Sequence, residues 1–269
     1  MRSSAHCNLL FNVLPLGMLS KSEFTVKVKE SSFPLVEEAY PPEIDDLYFL
    51  YHEVRSLSVV SILEFGSGWS TFALSLALLE NLRDFGVEHK KKVRHPNPFE
   101  MISIDASKTW QRVAISRLPV AQKELVQAIT ATPNLVEIDG SVCHKFDNFP
   151  NFVPDFIYLD GPDHDQVKGD IRGFKYSDDF TPPMSADLLT IEPFLWPETR
   201  IIADGRSANV RFLTSRFQRS WEVLHDRFGD RTTLRLNENP FGSVSEDHIN
   251  LRLRNSRKSL SKEIPEGTS

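Results

Sequence analysis

The sequence predicts an α/β protein with a mostly parallel sheet of seven strands, because short apolar runs alternate with helix-length segments along most of the chain. Such alternation builds βαβ units, which cover both faces of a parallel sheet with helices and give three layers. Two late apolar runs separated by a short polar stretch predict an antiparallel strand pair at the sheet edge. The predicted strands cover 57–63, 101–104, 135–138, 156–159, 201–203, 221–224 and 232–236.

The predicted helices fill the spaces between these strands. The first begins at Pro41 and Pro42, since proline is tolerated in the first turn of a helix, and it carries apolar residues at helical spacing. The run that follows it is apolar and rich in β-branched residues, which is typical of a buried strand. Ser70 is available as the N-cap of the next helix. The predicted helices cover 41–56, 70–82, 109–118, 187–195 and 208–217.

Length and composition indicate one main domain with additions at both ends. At 269 residues the chain is near the upper size that one hydrophobic core serves. We expect 1–56 to be an N-terminal segment and helix packed on the core, and 57–254 to be the main domain. The stretch 255–269 lacks apolar periodicity and is expected to be a disordered tail. The basic, proline-containing stretch 86–99 is interpreted as an inserted loop.

Charge and hydropathy argue against two classes of partner. The net charge of −6 argues against nucleic-acid binding, which needs a basic surface. No apolar run reaches the ~18 residues of a membrane-spanning helix. The run 9–16 resembles a signal peptide, but Asn12 and Pro15 interrupt it. Because Cys7 and Cys143 form no disulfide framework, we expect a cytoplasmic protein. Its oligomeric state is left open.

Ligands of an open α/β sheet bind at the carboxyl ends of its strands, so the residues there are the candidates for a site. The first strand ends in Glu64-Phe65-Gly66-Ser67-Gly68 and leads to the helix that starts near Ser70. Gly66 and Gly68 let the backbone turn and approach a ligand closely, and the helix start offers N–H groups to an anion. An ordinary strand-to-helix turn is the alternative.

Asp105 follows the second predicted strand. An acid at this position accepts hydrogen bonds from the two hydroxyls of a ribose, which is its role in nucleotide sites. It lies 41 residues after Glu64, which is longer than usual, and the predicted loop 86–99 accounts for the excess. The alternative is that Asp105 caps the helix that follows it.

The next two strand ends carry further polar residues. Asp160, Asp163 and His164 follow the strand 156–159, and Asp204 with Arg206 follow the strand 201–203. A histidine suits proton transfer at neutral pH, so His164 is a candidate general base, or it only hydrogen-bonds a loop. Arg206 either binds an anionic substrate group or pairs with Asp160 or Asp163.

These residues resemble the class I S-adenosylmethionine (SAM)-dependent methyltransferases over about residues 57–240. In that family the first strand ends in an acid followed by Gly-x-Gly, as at Glu64, Gly66 and Gly68, and the second ends in an acid, as at Asp105. The strand ends at Asp160 and Asp204 are similar to the small-molecule O-methyltransferase branch, including macrocin-type sugar methyltransferases. The resemblance implies a Rossmann-like sheet, SAM as the cofactor, and methyl transfer to a small molecule, expected at oxygen.

The resemblance also implies further roles. Asp139 and Ser141 match the place where the family contacts adenine, and Asp163 and Arg206 lie where the acceptor binds. Asp160, Asp204 and His164 are the expected catalytic residues. Two carboxylates at neighbouring strand ends can also share a Mg²⁺ ion, with Asp163 or water completing its shell.

Two features limit these implications. Metal-dependent members carry a third ligand directly after the second aspartate, where this chain has Gly205, so the metal site is doubtful. A dinucleotide-binding turn has a third glycine, where this chain has Thr71. An NAD-type oxidoreductase and a non-catalytic nucleotide-binding module are kept as alternatives.

Overall fold

A computed structural model describes residues 18–31, 41–176, 182 and 184–261, without the side chains of 255–261. The sheet strands are β1 Ser61–Phe65, β2 Glu100–Asp105, β3 Val126–Thr130, β6 Phe156–Leu159, β7 Arg200–Asp204, β8 Trp221–Asp226 and β9 Arg231–Leu236, and a separate hairpin consists of β4 Pro133–Ile138 and β5 Ser141–Phe146. The α-helices are α1 Lys21–Glu30, α2 Ile44–Ser56, α3 Trp69–Lys92, α4 Lys108–Arg117, α5 Val120–Lys123, α6 Asp187–Ile191, α7 Ser207–Thr214 and α8 Gly242–Ser261. Short 3-10 helices cover His164–Gln166 and Glu192–Phe194.

The predicted fold class is confirmed by the order and direction of the strands. The seven-stranded sheet runs β3-β2-β1-β6-β7-β9-β8. The first five strands in this order are parallel to one another, and β9 pairs antiparallel with both β7 and β8. The chain leaves β1 toward β2 on one side and reaches β6 on the other, so β1 marks the point where the strand order reverses. Ligands of open α/β sheets bind at such a point.

The sheet separates two hydrophobic cores. Successive residues of a strand point to opposite faces, and Ile62 belongs to one core while Leu63 belongs to the other. The first core includes the buried residues Phe24 of α1 and Tyr51 of α2. The second includes Leu188 of α6 and other apolar residues on the opposite face. Helices on both faces give the expected three layers.

The structure corrects three boundaries. The predicted strand 135–138 is β4 of the separate hairpin, whereas the third strand of the sheet is β3. The predicted loop 86–99 is helical as far as Lys92, because Phe85 and His89 extend the buried face of α3. The predicted disordered tail is helical in α8 as far as Ser261.

Helix α8 is fastened to the amino end of the sheet by a buried carboxylate. Asp155 accepts hydrogen bonds from the backbone N–H groups of Val60 and Ser61, at 3.1 and 2.8 Å. On its other side it lies 3.3 Å from His248 Nε2 and 3.3 Å from Arg252 Nη1, both on α8. Asp155 therefore joins the start of β1 to the last helix.

The remaining predictions concern the two ends of the chain and membrane-spanning segments. The apolar run 9–16 and the residues 262–269 lie outside the described part of the chain. No described helix is long and apolar enough to cross a membrane.

Candidate functional site

A cavity of about 410 Å³ lies at the carboxyl ends of β1, β2 and β6. This is within the ~300–1,000 Å³ typical of small-molecule sites. Its walls combine aromatic rings with carboxylates. They are formed by residues 41–43, 66–70, 105–106, 110, 117, 146, 158, 160–163 and 166.

The turn after β1 is shaped by a contact between two backbones. Gly66 has φ +91°, and a Cβ placed there would lie 3.1 Å from the N atom of Gly161. A Cβ on Gly161 would lie 2.8 Å from both Cα and N of Gly66. Gly66 is therefore required by its positive φ and by the close approach of the loop after β6. Gly68 has extended φ, and a Cβ there would meet only Ser70 Oγ, at 3.9 Å.

Glu64 supports this turn from behind. Its fully buried carboxyl group accepts hydrogen bonds from the hydroxyls of Ser70, Thr71 and Ser103, at 2.7, 2.8 and 2.6 Å. Burial raises its pKa to about 7, although the three hydroxyls act in the opposite direction. Glu64 is not among the residues that line the cavity, and Gly68 rather than Ser70 is the N-cap of α3.

Asp105 both lines the cavity and organises its wall. One carboxylate oxygen accepts from Ser67 N–H and the other from Ser107 N–H, both at 2.6 Å. The helix-cap alternative is not observed, because Ser107 is the N-cap of α4 and accepts from Trp110 N–H. Each carboxylate oxygen keeps a lone pair for a ligand hydroxyl. Burial raises the pKa of Asp105.

A tyrosine links the ends of β6 and β7. The Tyr158 hydroxyl donates to Asp204 Oδ2 at 2.7 Å, and Tyr158 and Asp160 both line the cavity. Desolvation by the surrounding protein raises the pKa of Asp160 to about 7; Arg206 opposes this, while Asp204 and Asp163 add to it. Burial is also the main cause of the raised pKa of Asp204.

Arg206 and His164 lie beside the cavity and are not among its lining residues. The Arg206 guanidinium donates to the carbonyl oxygens of Pro162 and Asp160, at 2.9 and 2.5 Å, and lies 3.8 Å from Asp163 Oδ1. Arg206 therefore stabilises the loop after β6, which agrees with the alternative in which it pairs with Asp160 or Asp163 instead of binding a substrate. His164 begins the 3-10 helix that follows this loop.

Asp139 and Ser141, which were expected to contact adenine, are also absent from the cavity lining. Both lie at the turn between β4 and β5, where Ser141 Oγ accepts from Arg216 Nη2 at 2.5 Å. They were expected there because β4 was taken for the third strand of the sheet. That strand, β3, instead ends at Thr130.

Several cavity residues were missed by sequence reasoning, among them Glu43, Trp110, Arg117 and Tyr158. Glu43 precedes α2, Trp110 and Arg117 lie on α4, and Tyr158 belongs to an apolar strand that looked like core. The proximity of α4 to the turn after β1 was the only signal that could have indicated Trp110 and Arg117.

The residues present do not form a conventional metal site. Within the described ranges, no group of three or more His, Cys, Asp or Glu is placed to hold a metal ion. Asp204 is engaged by the Tyr158 hydroxyl, and the position after it is Gly205, which adds no ligand.

Comparisons with known proteins show likeness to solved structures alone. No protein-family model matches the chain, and no curated protein matches it. It is similar to an O-methyltransferase from Bacillus cereus in complex with SAH, at 14% identity over 87% of this chain and 97% of that chain, with a TM-score of 0.42. It is also similar to SAH-bound methyltransferase PaMTH1 from Podospora anserina, at 16% identity over 87% and 94% of the two chains, with a TM-score of 0.43.

A third similar structure is the O-methyltransferase TomG from Streptomyces achromogenes, involved in tomaymycin synthesis and solved with SAM. It is 14% identical over 87% of this chain and 96% of that chain, with a TM-score of 0.37. Likeness of this degree does not establish which ligand or acceptor the present chain binds, so the function is argued from the cavity itself.

Proposed function

We propose that this protein transfers a methyl group from SAM to a hydroxyl of a small molecule. The observation that carries the proposal is the cavity at the reversal point of the sheet, with the turn 66–70 on one side and Asp105 and Asp160 in its walls. The arrangement combines a nucleoside-sized space, an acceptor for ribose hydroxyls and a carboxylate placed for proton transfer.

The charges of the lining favour a cationic cofactor over a dinucleotide. Among the described residues of the wall, Glu43, Asp105, Asp160 and Asp163 are acidic and Arg117 is basic. A sulfonium is attracted by such a surface, whereas the pyrophosphate of NAD is repelled by it. This balance supports SAM against the oxidoreductase alternative.

The residues of this chain fit SAM in three ways. Asp105 has lone pairs left for the ribose hydroxyls. Trp69 and Trp110 supply apolar wall for the adenosine and methionine parts, and the turn 66–70 keeps one side of the cavity open to backbone contact. SAM supplies an electrophilic methyl group when it is bound. The protein's contribution is to hold the acceptor in line with that group and to exclude water.

Asp160 is the general base that the geometry supports best. It is accessible from the cavity, and its pKa of about 7 lets it accept a proton from an acceptor hydroxyl near neutral pH. Tyr158 lines the cavity with it, and the Tyr158 hydroxyl is held by Asp204. His164, the base expected from the sequence, is not among the residues that line the cavity. No step is assigned to a metal, because the residues present do not fit one.

Calorimetric titration with SAM, S-adenosylhomocysteine (SAH) and NAD tests the cofactor. We expect micromolar binding of SAM and SAH and none of NAD; NAD binding without SAM binding would overturn the proposal. A Gly68→Val variant is the control, since a side chain there has room in the fold and enters the cavity wall. It should weaken SAM binding, and because valine is a poor N-cap for α3 it should also lower the stability by about 1 kcal/mol.

Turnover tests the second half of the proposal. Radiolabelled methyl transfer from SAM should be followed over a panel of small hydroxyl compounds, with amines and thiols as comparison acceptors. Transfer to a hydroxyl supports the proposal. SAM binding without transfer to any member would favour the non-catalytic nucleotide-binding module. The cytoplasmic location expected from the sequence stays a prediction.

A further inference from the structure

Arg117 is a buried guanidinium in the wall of the cavity. It is the last residue of α4, it is 8% exposed, and it lines the cavity together with Trp69 and Trp110. Its guanidinium carbon lies 4.2 Å from the centre of the Trp69 ring. Stacking on a tryptophan fixes the plane of the guanidinium and leaves its N–H groups free to donate at its edge.

No carboxylate of the described chain neutralises this charge. Arg117 makes no ion pair or hydrogen bond with another described residue, in contrast to the nearby Arg206, which donates to two carbonyl oxygens. Desolvation lowers the pKa of Arg117, and no opposing charge acts on it. A buried, unpaired charge destabilises a folded protein, so its presence in a cavity wall indicates a ligand that compensates for it.

The position of Arg117 indicates where that ligand lies. Helix α4 follows β2, whereas Asp160 and Asp163 follow β6, so the guanidinium and these two carboxylates come from strands on opposite sides of β1, with Asp105 on the same side as Arg117. A ligand across the turn 66–70 meets the guanidinium on one side and the carboxylates on the other. A molecule that carries both an anion and a cation matches this arrangement.

We propose that Arg117 is an oxyanion-binding residue of this cavity and takes the carboxylate of a bound ligand. This inference rests on the proposed function, in which the carboxylate is that of the methionine part of SAM. An anionic group of the acceptor is the other source with the same chemistry. A guanidinium binds a carboxylate through two parallel hydrogen bonds, which a lysine cannot reproduce.

The test compares SAH with 5′-methylthioadenosine, which lacks the aminocarboxylate part. The variants are Arg117→Gln and Arg117→Lys in the full chain. Arg112→Gln is the matched control, because Arg112 is exposed on the same helix and does not line the cavity. By calorimetry we expect Arg117→Gln to raise the Kd of SAH about 10- to 100-fold while the Kd of 5′-methylthioadenosine stays within about twofold. Arg117→Lys should recover part of the loss, and Arg112→Gln should bind both ligands normally.

Thermal unfolding without ligand separates binding from a structural role. Arg117 also lies at the C-terminus of α4, where a cation interacts favourably with the helix dipole. If that were its purpose, Arg117→Gln would lower the unfolding temperature and weaken both ligands equally, and the inference would be wrong. If Arg117 serves a ligand, removing its unpaired charge should keep or raise the unfolding temperature.

Two further outcomes show whether the anion belongs to SAM or to the acceptor, and whether a failure concerns this inference or the proposed function. Unchanged SAH binding with a KM raised at least tenfold for an anionic acceptor supports the oxyanion role with the acceptor as the source. If the wild type binds no SAH, the proposed function fails, and acetate and phosphate become the probes. If these anions raise the unfolding temperature of the wild type but not that of Arg117→Gln, the inference is still supported. If they raise both unfolding temperatures equally, or neither, the inference is wrong.

Discussion

The backbones of Gly66 and Gly161 pack against each other so closely that a Cβ on Gly161 would lie 2.8 Å from Gly66 Cα. The contact joins the turn after β1 to the loop after β6, and both line the cavity. The wall of the site is therefore held by main chain, whose position does not depend on a side-chain rotamer.

Alanine at either glycine should destabilise the fold. Gly161→Ala forces backbone apart, and Gly66→Ala adds a side chain at φ +91°. We expect each to lower the free energy of unfolding by about 1–3 kcal/mol, measured by urea denaturation. Gly68→Ala is the comparison: its Cβ has room, so it should cost only the loss of a glycine N-cap, about 0.5–1 kcal/mol. Normal stability of Gly161→Ala would show that the loops separate easily.

Asp105→Ala should weaken both SAM binding and the fold. The variant removes the acceptor of two backbone N–H groups as well as that of the ligand hydroxyls. We expect a loss of about 1.5–3 kcal/mol in SAM binding and of about 1–3 kcal/mol in stability. Ser107→Ala is the control: it removes the N-cap of α4, should cost about 1 kcal/mol of stability, and should leave SAM affinity unchanged. Normal SAM affinity of a stabilised Asp105→Ala enzyme would restrict Asp105 to a structural role.

Activity should depend on the protonation of Asp160. Because its pKa is about 7 and the deprotonated form is the base, kcat/KM should rise as the pH increases through about 7. Asp160→Asn should lower kcat ~100-fold or more and remove this pH dependence. A carboxyl pKa raised in the folded state costs stability as the pH rises from about 4 to 7, so Asp160→Asn should be more stable than the wild type above pH 7. A near-normal Asp160→Asn together with an inactive His164→Ala would return the role of base to His164.

The buried histidines at the foot of α8 should make the protein sensitive to acid. Burial lowers the pKa of His89 to about 3 and that of His95 to about 4, and it also lowers the pKa of His248. In the unfolded chain these histidines are protonated near pH 6.5, whereas in the folded chain they stay neutral down to about pH 4. The free energy of unfolding therefore falls as the pH drops from about 6.5 to 4. His89→Phe should reduce the slope of stability against pH in this window by about 1.4 kcal/mol per pH unit. His225→Gln, at an exposed position, should leave the slope unchanged.

Chelation should leave at least part of the activity. Asp160 and Asp204 could offer two carboxylates to a metal ion, but Asp204 already accepts a hydrogen bond from the Tyr158 hydroxyl. Two carboxylates alone hold Mg²⁺ weakly. We expect turnover to continue in EDTA. Complete loss in EDTA, restored by Mg²⁺, would make the metal the activator and Asp163 the first candidate for the missing ligand.

The sheet could be predicted because buried parallel strands are continuous apolar runs, as in β1, β6 and β7. β3 escaped because it is an edge strand of mixed composition, and β4, whose composition is similar, lies next to it in sequence. The extension of α3 escaped because three lysines near its end are typical of a loop, although they also suit the negative end of a helix dipole.

Gly66, Asp105 and Asp160 were expected at strand ends, and all three line the cavity, while their roles stay predictions. Arg117 was not predictable, because its significance depends on having no partner, and only packing can show this. His164 was predicted as the base from the chemistry of its side chain alone. Whether such a side chain reaches the cavity depends on the conformation of the loop that carries it, which the sequence does not show.

The contact of Asp155 with His248 and Arg252 determines how far the protein can be shortened from its C-terminal side. A recombinant version ending before residue 242 would remove Arg252 and His248 from this carboxylate together with the buried Ile249 and Leu251 of α8, and removing the partners of a buried carboxylate is strongly destabilising. Affinity tags and fusion partners should therefore be attached beyond residue 261, where the helix ends. Surface display of the protein should likewise use that end with a spacer, so that α8 remains docked.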